Sequence, residues 1–231
     1  MYKVFQFDLG RNALRYLIKT YNIKQIKLPY YLCNVIRHTL VEERCKPIFY
    51  HINDDFMPDE EFEKDDYILY PNYWGICGVN VSKLSIIYPK LIVDNAHAFF
   101  DKPSGFACFN AGHKFGYKES YLWLKQDKDN CITTNTVVRN DNNKIQERNN
   151  IFLDFHKKYG NTNLLNFDIN SVTCPFVYPY LAQTIQEADE LVEVLKEEGK
   201  TVYRYWSPLP KSFCEYKFYS RLVPIPVLPL S

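Results

Sequence analysis

Two residues of complementary chemistry follow apolar runs in this sequence. Asp94 ends the run LIVD, and Lys114 lies in FNAGHKFG among small and apolar residues. A carboxylate can hold a protonated ring nitrogen, and a lysine that deprotonates readily can attack an aldehyde. The local pattern alone favours a turn cap for Asp94 and an exposed turn position for Lys114. Their shared position after strands is what indicates a site.

His97 and Gly10 extend this pair. His97 is close enough to Asp94 in the chain for a second polar contact, although a lone histidine is more often structural. Gly10 precedes a predicted helix, whose free first-turn N–H groups and dipole would favour a phosphate. The segment FDLGRNALRY matches neither GxGxxG nor a P-loop, so this signal is weak by itself.

The first half of the chain alternates strand and helix patterns. RNALRYLIKTY and NVIRHTLVEER predict helices, IKQIKLPYY, KPIFYHI, DYILYPNYWG and KLIVDNAHA predict strands, and GFACFNAGHKFG and ESYLWLK predict two more. Residues 54–66 predict a loop with a short helix. The pattern indicates an α/β fold, a mainly parallel sheet flanked by helices. Ligands bind beyond the carboxyl ends of such strands, where Asn72, Asp94 and Lys114 would meet.

The second half changes character and predicts a small α+β C-terminal subdomain. The Asn-rich stretch from residue 127 reads as a crossing segment, and NIFLDFHKKYG as a helix. SVTCPFVYPYLAQ reads as extended, TVYRYW as a strand, and the end as a proline-rich tail. QEADELVEVLKEEG is the clearest amphipathic helix, with an apolar face of Ala188, Leu191, Val192, Val194 and Leu195. We therefore predict an α/β domain over 1–149 and the subdomain over 150–231.

The composition limits the classes of function. The net charge of the 231 residues is +1, which argues against nucleic-acid or membrane binding driven by charge. No window approaches eighteen apolar residues, and the N-terminus does not resemble a signal peptide. The seven cysteines include no CxxC pair, so we expect no metal site and reduced thiols in the cytoplasm. The 19 Tyr, 16 Phe and 3 Trp are consistent with a homo-oligomer contact.

Several motifs together resemble one family. GRNALRYLI, LPYYLCNVI, YPNYWG, LIVDNAHAFF and FNAGHKFG occur in the order seen in the DegT/DnrJ/EryC1/StrS sugar aminotransferases. VTCPFVYPYLAQ, ELVEVLKEEGKTVYRYWSPLP and RLVPIPV resemble that family's small C-terminal domain. The resemblance implies a homodimeric enzyme that uses pyridoxal 5′-phosphate (PLP) and has the aspartate aminotransferase fold, type I. It also implies amino transfer from an amino acid, such as glutamate, to a keto sugar, nucleotide-linked, in surface polysaccharide biosynthesis.

The resemblance also implies roles for individual residues. Lys114 would bind the cofactor covalently and shuttle a proton, Asp94 would pair with the pyridinium nitrogen, and His97 would lie beside the phenolic oxygen. The phosphate contacts would be Gly10, Arg11, Asn12 and Asn110. Tyr30, Tyr31 or Cys33 would lie over the ring, with Cys33 closest to that position. Asn72 and Trp74 would line the substrate side.

The chain departs from the family in its length and after the lysine. It is much shorter than a usual member, and Gly116-Tyr117-Lys118 stands where members often carry Gly-Gly. Lys118 is a rival for the covalent role, although the spacing from Asp94 favours Lys114. Two alternatives remain open: a PLP enzyme that decarboxylates, dehydrates or cleaves by an aldolase-like route, and a non-catalytic binding or assembly protein.

Overall fold

A seven-stranded sheet forms the centre of the structure, a computed structural model that describes residues 1–126, 140–206 and 208–227. Within these ranges the strand order is β1-β7-β6-β5-β4-β2-β3. The strands are β1 (Tyr2–Phe7), β2 (Gln25–Pro29), β3 (Lys46–Tyr50), β4 (Ile68–Pro71), β5 (Leu91–Asp94), β6 (Ala107–Ala111) and β7 (Ser120–Lys125). Strands β2 to β6 are mutually parallel, and β7 is antiparallel to its neighbours β1 and β6. The mainly parallel sheet is therefore confirmed.

Helices cover both faces of this sheet. They are α1 (Gly10–Thr20), α2 (Asn34–Glu42), α3 (Gly78–Ile87) and α4 (Asn142–Tyr159). Side chains of α1 and α2 share one hydrophobic cluster with Ile92, whereas α3 and α4 share another with Leu91 and Val93. Successive residues of a strand point to opposite faces, and in β5 both faces are buried. Such a strand reads as the continuous apolar run LIV, and it ends at the acid Asp94.

The C-terminal part contains a second, two-stranded sheet. Strands β8 (Val177–Leu181) and β9 (Leu222–Pro226) pair antiparallel, beside α5 (Ile185–Glu197) and α6 (Tyr216–Arg221). Pro179 lies opposite Pro224, a pairing that is tolerated because neither position has to donate an N–H to the other strand. Helix α4 crosses residue 150, and the division into 1–149 and 150–231 stays a prediction.

Two predicted elements are absent and one begins earlier. Residues 54–66 contain no helix, because the Asn53 side chain accepts the N–H groups of Asp55 and Met57 and holds a turn. Residues 201–206 form no strand. Helix α4 begins eight residues before the predicted start, since the Asp141 side chain caps it at the Lys144 N–H. Residues 127–139 of the predicted crossing segment lie outside the described ranges.

Other elements were not predicted or differ in detail. The sequence interpretation missed β1 and α3, and it treated α6 and β9 as part of a proline-rich tail. Helix α5 is confirmed, but Val194 is 47% exposed and so does not belong to its buried face. Similarly, Val35 of α2 is 41% exposed. The buried face of each of these two helices is narrower than its pattern of apolar residues suggests.

The thiols within the described ranges are all free. Four of these six cysteines are buried, Cys33 is half-buried and Cys214 is exposed. The seventh, Cys131, lies outside the described residues. Among the helices of the described ranges, none combines the length and apolar character needed to cross a bilayer.

Candidate active site

A cavity of about 240 Å³ lies at the carboxyl ends of β4, β5 and β6, next to the start of α1. Most of the residues that the sequence predicted for a site line this cavity. They are Gly10, Arg11, Cys33, Asn72, Asp94, His97 and Lys114. The parallel strands bring these residues together from five separate parts of the chain, as the sheet geometry predicts.

Asp94 is both a turn cap and a wall of the cavity. Its Oδ1 accepts the backbone N–H of Ala96 at 2.8 Å, and its side chain is 8% exposed. Burial raises the pKa of Asp94 to about 6, against the opposing effects of the Ala96 hydrogen bond and the positive charge of Lys114. The two roles considered for Asp94 are therefore compatible, because one oxygen caps the turn while the carboxylate borders the cavity.

Lys114 enters the cavity from a 3₁₀ turn, Gly112–Phe115, that follows β6. Its Nζ lies 4.9 Å from the ring centre of Phe176 and 5.1 Å from that of Tyr205. Burial lowers the pKa of Lys114 to about 8, although the charge of Asp94 acts in the opposite direction. With that pKa, about a tenth of the lysine is neutral at pH 7, and the neutral amine is the nucleophilic form.

His97 joins Lys114 to the aromatic wall. Its Nδ1 accepts the backbone N–H of Trp74 at 3.2 Å, and its Nε2 is hydrogen-bonded to the Nζ of Lys114. The imidazole stacks between rings, with centroid distances of 5.0 Å to Trp74, 4.9 Å to Phe176 and 5.6 Å to Trp206. Burial, with the nearby charge of Lys114, holds the pKa of His97 well below its usual range, so the ring is neutral.

The start of α1 forms a third wall. The N-cap Leu9 is extended and no side chain caps the helix, so the N–H groups of Gly10 and Arg11 have no intrahelical acceptor, whereas that of Asn12 donates to the carbonyl oxygen of Leu9 at 3.0 Å. A close approach favours Gly10 there: a Cβ would lie 3.1 Å from the Cβ of Ala111 on β6. Arg11 and His113 add basic groups near this end. Such a helix start, beside basic side chains, suits an anionic group.

Five residues predicted to contact the cofactor or the substrate do not line the cavity, and one of them, Tyr30, stacks on Phe49 instead. Asn12 donates to Asp8, and Asn110 donates to the carbonyl oxygens of Phe99 and Asp101. Tyr31 is buried, with its hydroxyl donating to the carbonyl oxygen of Tyr205. Trp74 lies behind His97 rather than at the cavity surface.

The rival lysine, Lys118, is exposed and lies outside the cavity. The cavity also contains residues that the sequence interpretation did not single out. Trp206 comes from the segment that follows α5, His113 precedes Lys114, and Ala96 follows Asp94 by two positions. The spacing around Asp94 and Lys114 could have suggested the last two. Nothing in the sequence links Trp206 to β5, because the contact depends on how the C-terminal part folds back.

No protein-family model matches the sequence, and no curated protein matches it. Solved structures do match. PseC of Helicobacter pylori, an aminotransferase involved in pseudaminic acid biosynthesis, is 15% identical, with a TM-score of 0.69 over 96% of this chain and 81% of PseC.

A DegT/DnrJ/EryC1/StrS aminotransferase from Brucella abortus is 12% identical, with a TM-score of 0.71 over 96% of this chain and 80% of that one. Spr1654 of Streptococcus pneumoniae, in its PLP form, is 10% identical, with a TM-score of 0.71 over 99% of this chain and 83% of Spr1654. These identities are low, and the likeness shows the fold alone. The chain is similar in structure to sugar aminotransferases of this type and has the PLP-dependent transferase fold, type I.

Proposed function

We propose that the protein is a PLP-dependent aminotransferase that moves an amino group from an amino acid, such as glutamate, to a keto sugar. The observation that carries this proposal is the single cavity shared by Asp94, Lys114 and the uncapped start of α1. The structural neighbours support it. They include the aminotransferase PseC, and also Spr1654 with PLP and with its aminated form, pyridoxamine 5′-phosphate (PMP). From the motifs that resemble the DegT/DnrJ/EryC1/StrS family, we also propose a nucleotide-linked sugar and a role in surface polysaccharide biosynthesis.

The donor set of the cavity fits PLP. Asp94 offers the cavity a carboxylate whose Oδ2 has no protein donor among the described residues. Lys114 offers a half-buried amine of lowered pKa, and α1 offers first-turn N–H groups beside Arg11. Bound PLP would supply an aldehyde that captures amino groups and a protonated ring that accepts electrons. The aldehyde, the ring nitrogen and the phosphate of PLP would therefore each meet a group of suitable chemistry.

The protein's own residues would act at defined atoms. The carboxylate of Asp94 would hold the proton on the ring nitrogen, and that positive charge would in turn keep the carboxylate ionised. The Nζ of Lys114 would bind the cofactor and then take the proton from the Cα of the amino donor. His97, neutral and donating from Nε2, would hold Nζ in place until the cofactor binds. The rings of Phe176 and Tyr205, whose centres lie 4.9 and 5.1 Å from Nζ, would limit the access of water to it.

Lysine mapping tests this proposal directly. PLP-treated protein should show the visible band of a lysine-bound cofactor, and borohydride reduction should leave the label on the peptide of Lys114. Lys114→Ala should lose both signals, whereas Lys118→Ala is the matched control and should keep them. Addition of glutamate should bleach the visible band, and a keto sugar should restore it. Absence of any lysine-bound cofactor in the wild-type protein would refute the proposal.

A second candidate is a non-catalytic binding or assembly protein. The cavity volume of about 240 Å³ favours it, because ligand sites usually span roughly 300–1,000 Å³ and Trp206 forms part of the wall. Cofactor binding without any spectral response to amino donors would select this candidate. A product that has lost CO₂, water or an aldehyde fragment would instead select another PLP reaction.

We further propose a cytoplasmic homodimer. The six described thiols are free, as in a reducing compartment. Helix α3 exposes Val79, Ile86 and Ile87 by 38%, 86% and 52%, an apolar surface of the kind that a second subunit covers. Light scattering during gel filtration should give twice the chain mass, and Ile86→Lys should shift the protein toward the monomer.

A further inference from the structure

Three potential metal ligands meet at the end of β3, and none of them lines the cofactor cavity. His51 directly follows β3, while Cys214 and Glu215 are adjacent in the chain and directly precede α6. One ligand atom from each residue, a ring nitrogen, a sulfur and a carboxylate oxygen, lies within 4.8 Å of the other two. The cluster therefore joins two parts of the chain that are distant in sequence.

The carboxylate of Glu215 needs a positive partner. Its side chain is fully buried, and Oε1 accepts the backbone N–H of Ile52 at 2.8 Å. In the described part of the chain, His51 is the basic side chain within 4 Å of it, with Nδ1 at 3.0 Å from each carboxylate oxygen. A buried carboxylate is stable only when paired or bound to a metal. Either an imidazolium or a metal cation can meet that need.

Two of the three ligand separations are close to those of a tetrahedral metal site. Zinc bonds of about 2.3 Å to sulfur and about 2.0–2.2 Å to nitrogen and oxygen imply ligand separations of roughly 3.6 Å for S···N and 3.4 Å for N···O. The Sγ of Cys214 is 3.8 Å from Nδ1 of His51, and the carboxylate of Glu215 is 3.0 Å from it. The third pair, the Sγ of Cys214 and the carboxylate of Glu215, lies within 4.8 Å, so metal binding would draw the thiolate toward the carboxylate by up to about 1.2 Å, a movement that rotation of the Cys214 side chain supplies.

The arrangement does not suit thiol activation. In a catalytic triad, the nucleophile and the carboxylate contact different ring nitrogens of the histidine that lies between them. Here Sγ and the carboxylate both lie beside Nδ1, and the thiol donates to the carbonyl oxygen of Ile52 at 3.4 Å, a bond that the thiolate of a metal complex would give up. The ring itself is fixed, because His51 packs against Tyr30 at 4.6 Å and against Phe213 at 5.0 Å. Three donors around one point, on a fixed ring, suit a cation.

We propose that His51, Cys214 and Glu215 bind a divalent transition metal ion of the zinc class. Thiolate, imidazole and carboxylate together are a zinc donor set, and the exposed position of Cys214 leaves room for water as a fourth ligand. Binding releases the thiol proton and leaves the imidazole proton on Nε2. The ion fastens the segment before α6 to the end of β3, and it does not depend on the function proposed for the cavity.

Cobalt titration tests the site without any enzyme assay. Chelator-treated full-length protein is titrated with Co²⁺ and then with Zn²⁺. We expect saturation at one equivalent, a near-ultraviolet thiolate-to-cobalt band and the strong visible bands of tetrahedral cobalt, all removed by Zn²⁺. Failure to saturate, or saturation without the thiolate band, would overturn the proposal and favour a simple hydrogen-bonded His51–Glu215 pair.

Variants assign the ligands. Cys214→Ser should abolish the thiolate band, and this exposed position is expected to tolerate serine, which circular dichroism checks. His51→Asn should weaken binding by about tenfold or more. His38→Asn and Cys33→Ser are the matched controls, one an exposed histidine and one a half-buried thiol, and both should bind as the wild type. Survival of the thiolate band in Cys214→Ser would also overturn the assignment.

Discussion

The Nζ of Lys114 is hydrogen-bonded to the Nε2 of His97, and the direction of that bond is fixed from the other side of the ring. Nδ1 of His97 accepts the backbone N–H of Trp74, so a neutral imidazole carries its proton on Nε2. Nε2–H must then donate, and Nζ must accept with a lone pair. Only the neutral amine has a lone pair, so this bond belongs to the deprotonated form of Lys114, which its lowered pKa of about 8 makes accessible near neutral pH.

The first prediction concerns the titration of Lys114. Because burial lowers its pKa to about 8, about a tenth of the amine should be neutral at pH 7 and most of it at pH 9. Trace acylation of the cofactor-free protein with acetic anhydride, followed by peptide mass spectrometry, should give a rate that levels off above pH 8. The acylation rate of the exposed Lys118 is used to correct the rate of Lys114 for the reactivity of the reagent itself. A rate for Lys114 that still rises tenfold per unit above pH 9 would contradict the prediction.

The second prediction separates the hydrogen bond of His97 from its packing. His97→Phe keeps a ring between Trp74 and Phe176 but donates nothing to Nζ, whereas His97→Gln keeps an N–H donor. Loss of one hydrogen bond to the neutral amine is worth about 1 kcal/mol, so the Phe variant should raise the acylation midpoint of Lys114 by up to about one unit. The Gln variant should stay closer to the wild type. If the acylation midpoint of Lys114 is the same in the Phe and Gln variants, burial alone sets the pKa of Lys114.

The third prediction concerns Asp94. The folded pKa of about 6 is above the ordinary 3.8, so between these values the folded state binds more protons than the unfolded state. Its stabilising effect is complete below pH 4 and is lost as the pH rises through 6. Asp94→Asn stays neutral and its Oδ1 can still accept from Ala96, so at pH 7 it should stabilise the cofactor-free protein by about 1–3 kcal/mol.

Urea unfolding at pH 4, 6 and 8 measures this effect, with the wild type as reference. The same variant should lower amino-group transfer by about 10²–10⁴, because the ring nitrogen would lose its anionic partner. Stability and activity should therefore change in opposite directions. An Asp94→Asn protein with wild-type turnover would rule out the role proposed for the carboxylate.

The parts of the site that the sequence predicted are those fixed by strand ends. Asp94 is the last residue of the buried strand β5 and Lys114 lies in the turn after β6, so parallel pairing alone brings them to one edge. Trp74 was expected at the cavity surface, but its φ of +57° turns its ring behind His97. Such a backbone conformation depends on the surrounding packing and leaves no mark in the sequence.

Helix α3 shows the other limit of the sequence pattern. It is apolar on most sides, with Val81 and Leu84 buried and Ile86 and Ile87 exposed, so no helical period stands out. Trp206 was missed for a different reason. It contacts His97 from a position more than one hundred residues away, and local patterns do not report contacts of that range.

The fourth prediction uses two glycines that both begin helices. In Gly10→Ala the new Cβ would lie 3.1 Å from Ala111 and 3.4 Å from Phe109, so α1 and β6 must separate slightly. In Gly78→Ala the nearest contact is an ordinary 3.7 Å to the carbonyl oxygen of Ser171, so α3 should be undisturbed. The two variants therefore separate the effect of the close contact between α1 and β6 from the general effect of adding a methyl group at a helix start.

Gly10→Ala should destabilise the protein by about 1 kcal/mol or more, because overpacking displaces backbone on both sides of the contact. It should also weaken PLP binding by about tenfold, since β6 leads into the turn that carries Lys114 and α1 supplies the N–H groups for the phosphate. Gly78→Ala should match or slightly exceed the wild type in stability, because alanine favours the helix. Fluorescence titration with PLP and urea unfolding measure both effects. If both variants bind PLP like the wild type, the start of α1 does not hold the phosphate, whereas equal losses in both would point to helix stability rather than to the close contact at Gly10.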